Sequence, residues 1–292
     1  MSAGRVEFRG VTKRFGTKQV LADCTFEFTP ARFTALIGPS ACGKTTIIDL
    51  IAGYERPSSG AVLLDGKSVD GPGWDRLVVF QETALFPWKS TLHNVMFGPL
   101  NRHAARREAE RQARAMLARL GLEGFETKYP HQLSGGMQRR AELARALVNS
   151  PLVMLLDEPF RGLDAMTREL MQEYLLRLFE EEPVTTVFIT TEIEEAIFLA
   201  DRILVVSNAP ASLKRVIEVD LPRPRDLKML SSRRFAEIHG EILDLMLEEV
   251  KKAFAEGAGD AAEVIESYGR AARSQSADAS GEASRDGTSP LE

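Results

Sequence analysis

Residues 5–9 (beginning Arg5-Val6-Glu7-Phe8) and 20–28 (through Leu21 to Phe28) alternate apolar and polar side chains, the two-residue period of half-buried strands. Thr34-Ala35-Leu36-Ile37 is a short apolar run that stops at Gly38, which suits a strand buried on both faces. Thr45 to Ala52 then reads as a helix, and Ala61–Leu64 and Leu77–Phe80 as further strands. From Ala104 to Leu120 the chain is rich in Ala and Arg and predicts a helix, and a second follows Leu133-Ser134-Gly135-Gly136. Beyond it, Val153–Leu156 is a buried strand ending in Asp157-Glu158, and a helix covers about 165–180. Thr185–Thr190 is another buried strand, followed by a helix from Glu194 to Ala200. Ile203–Ser207 and Val216–Val219 close the sheet. The pattern predicts an α/β fold with a mostly parallel core, an antiparallel β edge and a helical insert.

The expected division is a core from 1–88 and 149–225, a helical subdomain at 89–148, and a helical extension at 226–256. Phe235, Ile238, Ile242, Leu245 and Met246 recur at helical spacing in that extension, which makes it amphipathic. Residues 257–292 are rich in Ala, Ser, Gly, Asp and Glu with few large apolar side chains, a composition that predicts disorder. No internal repeat is visible.

Composition changes the picture only by exclusion. Of 292 residues, 44% are apolar and 27% charged, as in ordinary globular proteins, and the formal net charge of −5 argues against nucleic acid as a partner. No apolar run is long enough to cross a bilayer, and the opening MSAGRVEFRG lacks the apolar core of a signal peptide. The expected location is therefore the cytoplasm, which leaves docking on a membrane protein open. Two cysteines, Cys24 and Cys42, are too few for a disulfide framework, and Cys42 reads as a small filler without chemistry.

The chemistry concentrates in three segments. Gly38-Pro39-Ser40-Ala41-Cys42-Gly43-Lys44-Thr45 fits G-x-x-x-x-G-K-[ST] between a strand and a helix, and Thr46 continues the loop. The glycines let backbone N–H groups curl around phosphate, the helix adds its positive end, Lys44 reaches the β- and γ-phosphates, and the Thr45 hydroxyl ligates Mg²⁺. A chance match in a chain this long is on the order of one in a hundred. In the second segment, Leu155-Leu156-Asp157-Glu158-Pro159, the strand delivers two carboxylates to the ligand-binding edge of a sheet. Asp157 is placed to hold Mg²⁺ through water, and Glu158 to orient and deprotonate an attacking water. The third, Leu133-Ser134-Gly135-Gly136-Met137-Gln138, is either a second anion cradle, serving the nucleotide of another subunit, or a glycine turn that starts a helix.

Together these segments resemble the nucleotide-binding subunit of an ABC transporter over about residues 5–225. The resemblance implies a RecA-like P-loop NTPase core. Gly38–Thr45 matches the Walker A motif, Leu155–Glu158 Walker B, Gln81 the Q-loop, Leu133–Gln138 the signature, and Gly162-Leu163-Asp164 the D-loop. Phe15 matches the aromatic that stacks on adenine, although from its residue type alone it reads as a core side chain. The implied catalytic residues are Glu158, Gln81 and Lys44, and the implied Mg²⁺ ligands Thr45, Gln81 and Asp157. Nucleotide contacts are implied for Phe15, Gly38 to Thr46, Gln81, Ser134, Gly135, Gly136 and Asp164. Two such subunits, alike or different, would sandwich two ATP molecules head to tail and drive a membrane permease from its inner face. Gln81-Glu82-Thr83-Ala84-Leu85-Phe86-Pro87-Trp88 with Asn94-Val95, and Leu221-Pro222-Arg223-Pro224-Arg225, resemble the importer group for nitrate, sulfonate and taurine. Residues near Phe86 to Trp88 would line the groove for the permease, with Trp88 either a docking anchor or a packing residue of the insert.

One position departs from the resemblance. After Val187-Phe188-Ile189-Thr190 the family carries a histidine at the γ-phosphate, and here Thr191 and Glu192 stand there. His93, His103, His131 and His239 lie elsewhere. Two readings follow: binding with slow intrinsic hydrolysis, or adequate service by Thr191 or Glu192. Ala41 also replaces a common glycine, which the loop pattern tolerates. The competing functions are an importer's energising subunit, a non-transport ATP-dependent switch, and a regulatory subunit that binds ATP but barely turns it over.

Overall fold

The structure is a computed structural model that describes residues 4–257. In chain order its first half contains β1 (Val6–Phe15), β2 (Lys18–Phe28), β3 (Phe33–Ile37), α1 (Lys44–Ala52), β4 (Ser59–Leu64), β5 (Lys67–Ser68), β6 (Arg76–Val79), α2 (Thr91–Asn101), α3 (Arg106–Arg119) and α4 (Gly135–Leu147). Then follow β7 (Val153–Asp157), α5 (Ala165–Glu181), β8 (Thr185–Ile189), α6 (Ile193–Leu199), β9 (Arg202–Val206), β10 (Leu213–Glu218) and α7 (Arg233–Gly257). Two compact units divide the chain, Met1–Leu243 and Asp244–Glu292. All sheets belong to the first, and the second contributes the last part of α7 to the described residues. The tail predicted beyond 257 lies outside the described residues. Among them no helix is long and apolar enough to cross a membrane.

The strands form two sheets. One is antiparallel in the order β2-β1-β4-β5, and the other runs β10-β9-β3-β8-β7-β6. In the second, β6, β7, β8, β3 and β9 pair in parallel, and β10 closes the edge antiparallel to β9. Every residue of β3, β7 and β8 is buried, as expected of central parallel strands covered on both faces. Helix α1 joins the two sheets. Its Ile47, Ile48 and Ile51 share one core with Phe8 and Phe28 of the antiparallel sheet and with Leu36, Leu155, Val187 and Leu204 of the parallel one.

This topology positions the chemistry. Because β3, β7 and β8 are parallel neighbours, their carboxyl ends emerge at one edge, where ligands of open α/β sheets bind. Asp157 pairs with Ile189, and Leu36 with the same Ile189, so Gly38, Asp157-Glu158 and Thr190-Thr191 leave the sheet at nearly one level. Helices α2, α3 and α4 pack on one another between β6 and β7 in sequence, and α4 also packs on β6.

Several element bounds differ from the sequence reading. β1 runs to Phe15 rather than stopping near residue 9, because its pairing with β2 shifts register between Phe8 and Val11 and the apolar alternation breaks at that bulge. The antiparallel edge is a separate four-stranded sheet, and its short β5 has too few residues to show a period. Helix α1 starts one residue earlier, at Lys44, and β10 starts at Leu213 instead of Val216.

Candidate active site

The Gly38–Thr46 loop owes its shape to close packing. A Cβ on Gly38 would sit 2.6 Å from Val206 Cγ2 of β9, so only glycine lets the loop leave the sheet there. Gly43 has φ 117° and is the N-cap of α1, where a side chain would also meet Val20. Ala41 holds φ 58°, a left-handed conformation that costs a non-glycine residue about 1 kcal/mol, which explains why glycine suits this position. No side chain caps α1, whereas Ser134 and Asp164 cap α4 and α5 through the N–H groups of Met137 and Thr167. The first amides of α1 have no preceding turn to bond to and face the loop. An uncapped helix start behind a glycine loop fits a phosphate chain, since it offers several N–H donors and a positive dipole end. The Lys44 ammonium lies in the same loop and donates to the carbonyls of Gly38 and Pro39, both at 2.8 Å. Of the remaining loop residues, Ser40 is exposed, Cys42 is buried and Thr46 is half-buried. The burial of Cys42 fits its role as a filler.

Thr45 connects this loop to the end of β7: its hydroxyl donates to Asp157 Oδ2 at 2.9 Å. Asp157 is only 9% exposed, and burial pushes its carboxyl above the usual carboxylate range; the Thr45 hydrogen bond partly offsets this, and the Glu158 charge adds to it. A carboxylate beside a hydroxyl oxygen fits a Mg²⁺ ion that would take its remaining ligands from phosphate and water. No cluster of three or more His, Cys, Asp or Glu suited to a metal occurs among the described residues.

Glu158 follows with φ 43°, held in that left-handed turn by its N–H bond to Ile189 O at 3.0 Å. Its side chain borders a cleft of about 340 Å³, together with Ser40 of the loop, Arg161, Arg168, Thr191 and Glu192. Thr191 and Glu192 are exposed, while Thr190 is buried and accepts from the Glu192 N–H. The cleft therefore brings together the phosphate loop, the expected base and the position where Thr191 stands.

Other expected residues lie apart from this cleft. Gln81 is exposed, and its carbonyl accepts from Arg139 at 2.8 Å. Phe15 is 46% exposed at the end of β1, with the Lys13 ammonium 4.6 Å from its ring centre, so it is not the core side chain its residue type suggests. Ser134, Gly135 and Gly136 open α4 and abut the D-loop and the first turn of α5 instead: a Cβ on Gly135 would touch Leu163, and one on Gly136 would touch Thr167. Asp164 caps α5 and also accepts from the Thr167 hydroxyl at 2.6 Å. Trp88 is 71% exposed, stacked at a tilt on Phe86, and so is not a packing residue of the insert. Nearby, Tyr54, Trp74, Phe80, Phe86 and Phe97 line an apolar groove of about 450 Å³.

Sequence reasoning missed a charged set on α4. Arg139 and Glu142 form a buried ion pair of 2.7 Å, and Arg139 also donates to the carbonyls of Phe80 and Gln81. Glu142 accepts from the Ala84 N–H, and Arg145 donates to the Ala84 carbonyl. Opposite charges three apart in a predicted helix were the available signal for the ion pair alone. It also missed Arg161, three residues after Glu158 and bonded to it at 2.9 Å.

A family model described as ABC transporter matches residues 21–161. A nitrate import ATP-binding protein of Synechococcus elongatus, NrtD, is 39% identical over 84% of this chain and 93% of its own length. An aliphatic sulfonates import ATP-binding protein of Xanthomonas axonopodis, SsuB 1, is 42% identical over 77% of this chain and 90% of its own. Among solved structures, a dimeric ATP-binding cassette in a post-hydrolysis state, bound to ADP and Pi, superposes with a TM-score of 0.65 at 28% identity. It covers 74% of this chain and all of the cassette.

Proposed function

This chain belongs to the ABC transporter ATP-binding family, and on that premise we propose that it is the ATPase subunit of a membrane importer for a small anion of the nitrate or sulfonate type. Domains of this family are ATPases coupled to transport, and they dimerise and work with permease subunits. The observation that carries the reading is the Thr45–Asp157 bond, which joins the uncapped phosphate loop to the strand end that bears Glu158.

In this reading the α1 amides and Lys44 bind the β- and γ-phosphates, and Phe15 offers its exposed ring to adenine. Thr45 and Asp157 would hold Mg²⁺, joined by the Gln81 side chain as the family resemblance implies, and the ion would supply positive charge against the phosphate oxygens. Glu158 orients the attacking water and takes its proton as the oxygen bonds to the γ-phosphorus; the bond to the β-phosphate breaks and ADP leaves with its electron pair. Ser134, Gly135, Gly136 and Asp164 complete the site of a second subunit, either a copy of this chain or a relative. The permease docks at the groove beside Trp88, which puts the subunit on the cytoplasmic face of the membrane. Reconstitution with a membrane permease of the importer class tests this: solute-stimulated ATP hydrolysis that disappears in Glu158→Gln supports it, and hydrolysis indifferent to permease and solute counts against it.

A second reading rests on Thr191, a neutral side chain that lines the cleft beside Glu158. A neutral hydroxyl stabilises developing phosphate charge less than a cationic donor does, so intrinsic hydrolysis is slow although binding is intact. Thr191→His should then raise turnover by about 10-fold or more, against a ceiling of about 10²- to 10³-fold for one positioned donor. Equal, brisk rates in the two proteins would rule this second reading out.

A further inference from the structure

We propose that Arg161 is a catalytic residue that neutralises the γ-phosphate during hydrolysis from within its own chain. The inference rests on the reading that the cleft beside Glu158 receives the γ-phosphate of ATP.

Hydrolysis moves negative charge onto the γ-phosphoryl oxygens and the leaving ADP, and the site must meet it with donors already in position. Lys44 is buried against its own loop, where its ammonium bonds the Gly38 and Pro39 carbonyls. The cleft beyond it is lined by Ser40, Phe160, Thr190 and Thr191, by the carboxylates Glu158, Glu192 and Glu195, and by two cations, Arg161 and Arg168. Arg168 donates to the Leu163 carbonyl at the start of its own helix. Arg161 donates instead to Glu158, the base itself, at 2.9 Å, and its side chain is 64% exposed.

Placement and chemistry agree. The Arg161 N–H bonds the Glu158 carbonyl at 3.1 Å, closing a turn that keeps the guanidinium beside the base. A guanidinium carries five donors in a rigid fork, so one N–H can stay on Glu158 Oε2 while others meet a phosphoryl oxygen. Arg161 forms and breaks no covalent bond in the step. The water oxygen bonds to the γ-phosphorus, its proton passes to Glu158, and ADP leaves with the electrons of the broken P–O bond. With the Arg161 guanidinium largely exposed, solvent screens the pair and its contribution to folding is small.

The test uses the full chain as native protein, Arg161→Ala, Arg161→Lys, Thr191→His and the double variant Arg161→Ala/Thr191→His. Affinities for ATP and ADP are titrated with Mg²⁺ present, single-turnover hydrolysis is timed, and melting curves verify the fold. The expected result is hydrolysis slowed about 10²- to 10³-fold in Arg161→Ala, with ATP affinity reduced several-fold and ADP affinity unchanged. Arg161→Lys should recover part of the rate. Thr191→His should raise the rate more in the Arg161→Ala background than in the native one, because the two residues then serve one oxygen. Turnover in Arg161→Ala at or above the native rate would overturn the proposal, since the pair would then idle or restrain Glu158. Equal losses of ATP and ADP affinity would also overturn it, as would ATP binding by the native chain without any turnover. Failure of the native chain to bind ATP would instead remove the nucleotide reading of the site, and the proposal with it.

Discussion

Asp157 illustrates how one residue trades stability for chemistry. Burial raises its carboxyl above the ordinary range, so its folded-state pKa exceeds its unfolded one. Such a group favours the folded state most at pH below the ordinary carboxylate value of about 3.9, and that contribution is lost as pH rises through the raised value. At neutral pH the ionised side chain is therefore a cost that an amide of the same shape lacks. Asp157→Asn should melt at the native temperature or above it near pH 7, with the gap closing as the pH is lowered toward 4. On the proposed reading, in which Asp157 would hold Mg²⁺, hydrolysis by the variant should fall by at least about 10²-fold, because the bound ion would supply several kcal/mol of charge stabilisation. Calorimetry across that pH range with parallel turnover measurements decides it, and a variant that melts well below native at pH 7 would refute the burial account. Glu158, at φ 43°, is another instance of a local cost located at the site.

At the scale of elements, α4 is more than the carrier of Ser134. Its Arg139, Glu142 and Arg145 hold the backbone at Phe80, Gln81 and Ala84, which ties α4, the last helix of the helical block, to the Gln81 segment. Burial raises Glu142 and lowers Arg139, which means that each charge depends on the other for compensation. Arg139→Met leaves Glu142 buried without its partner and should cost about 3–5 kcal/mol, whereas Arg139→Met/Glu142→Leu should recover most of that loss. Urea unfolding of the three proteins measures this, and additive losses would refute the coupling. The phosphate loop was legible in the sequence because its determinants are local: two glycines, a lysine and a hydroxyl within eight residues of one strand and helix. The α4 set was not, because its partners lie some 58 residues away and only the packing of α4 on β6 brings them together. The far end of β1 was hidden for a different reason, a bulge that interrupts the alternation. The Arg161–Glu158 pair sits within one turn, yet it depends on the left-handed backbone at Glu158, which no period in the sequence reports.

For the whole molecule, the question is how events in the Glu158 cleft reach a membrane partner. The apolar groove offers a route, because Glu142 and Arg145 form part of its wall while they also hold the Gln81 segment at Ala84. A partner seated among Tyr54, Phe80, Phe86 and Phe97 would press on that wall and, through α4, on both Gln81 and the Ser134 end of the helix. Trp88 stands 71% exposed at the neighbouring Phe86, an aromatic of the kind that carries a large share of binding energy when covered. Trp88→Ala should therefore weaken binding to the detergent-solubilised permease by about 30-fold, the equivalent of about 2 kcal/mol. Its melting temperature should stay at the native value, because so exposed a ring contributes little to folding. Titration of labelled subunit onto immobilised permease reads the affinity, and an unchanged constant would move the docking surface away from Trp88 and sever this route from groove to cleft.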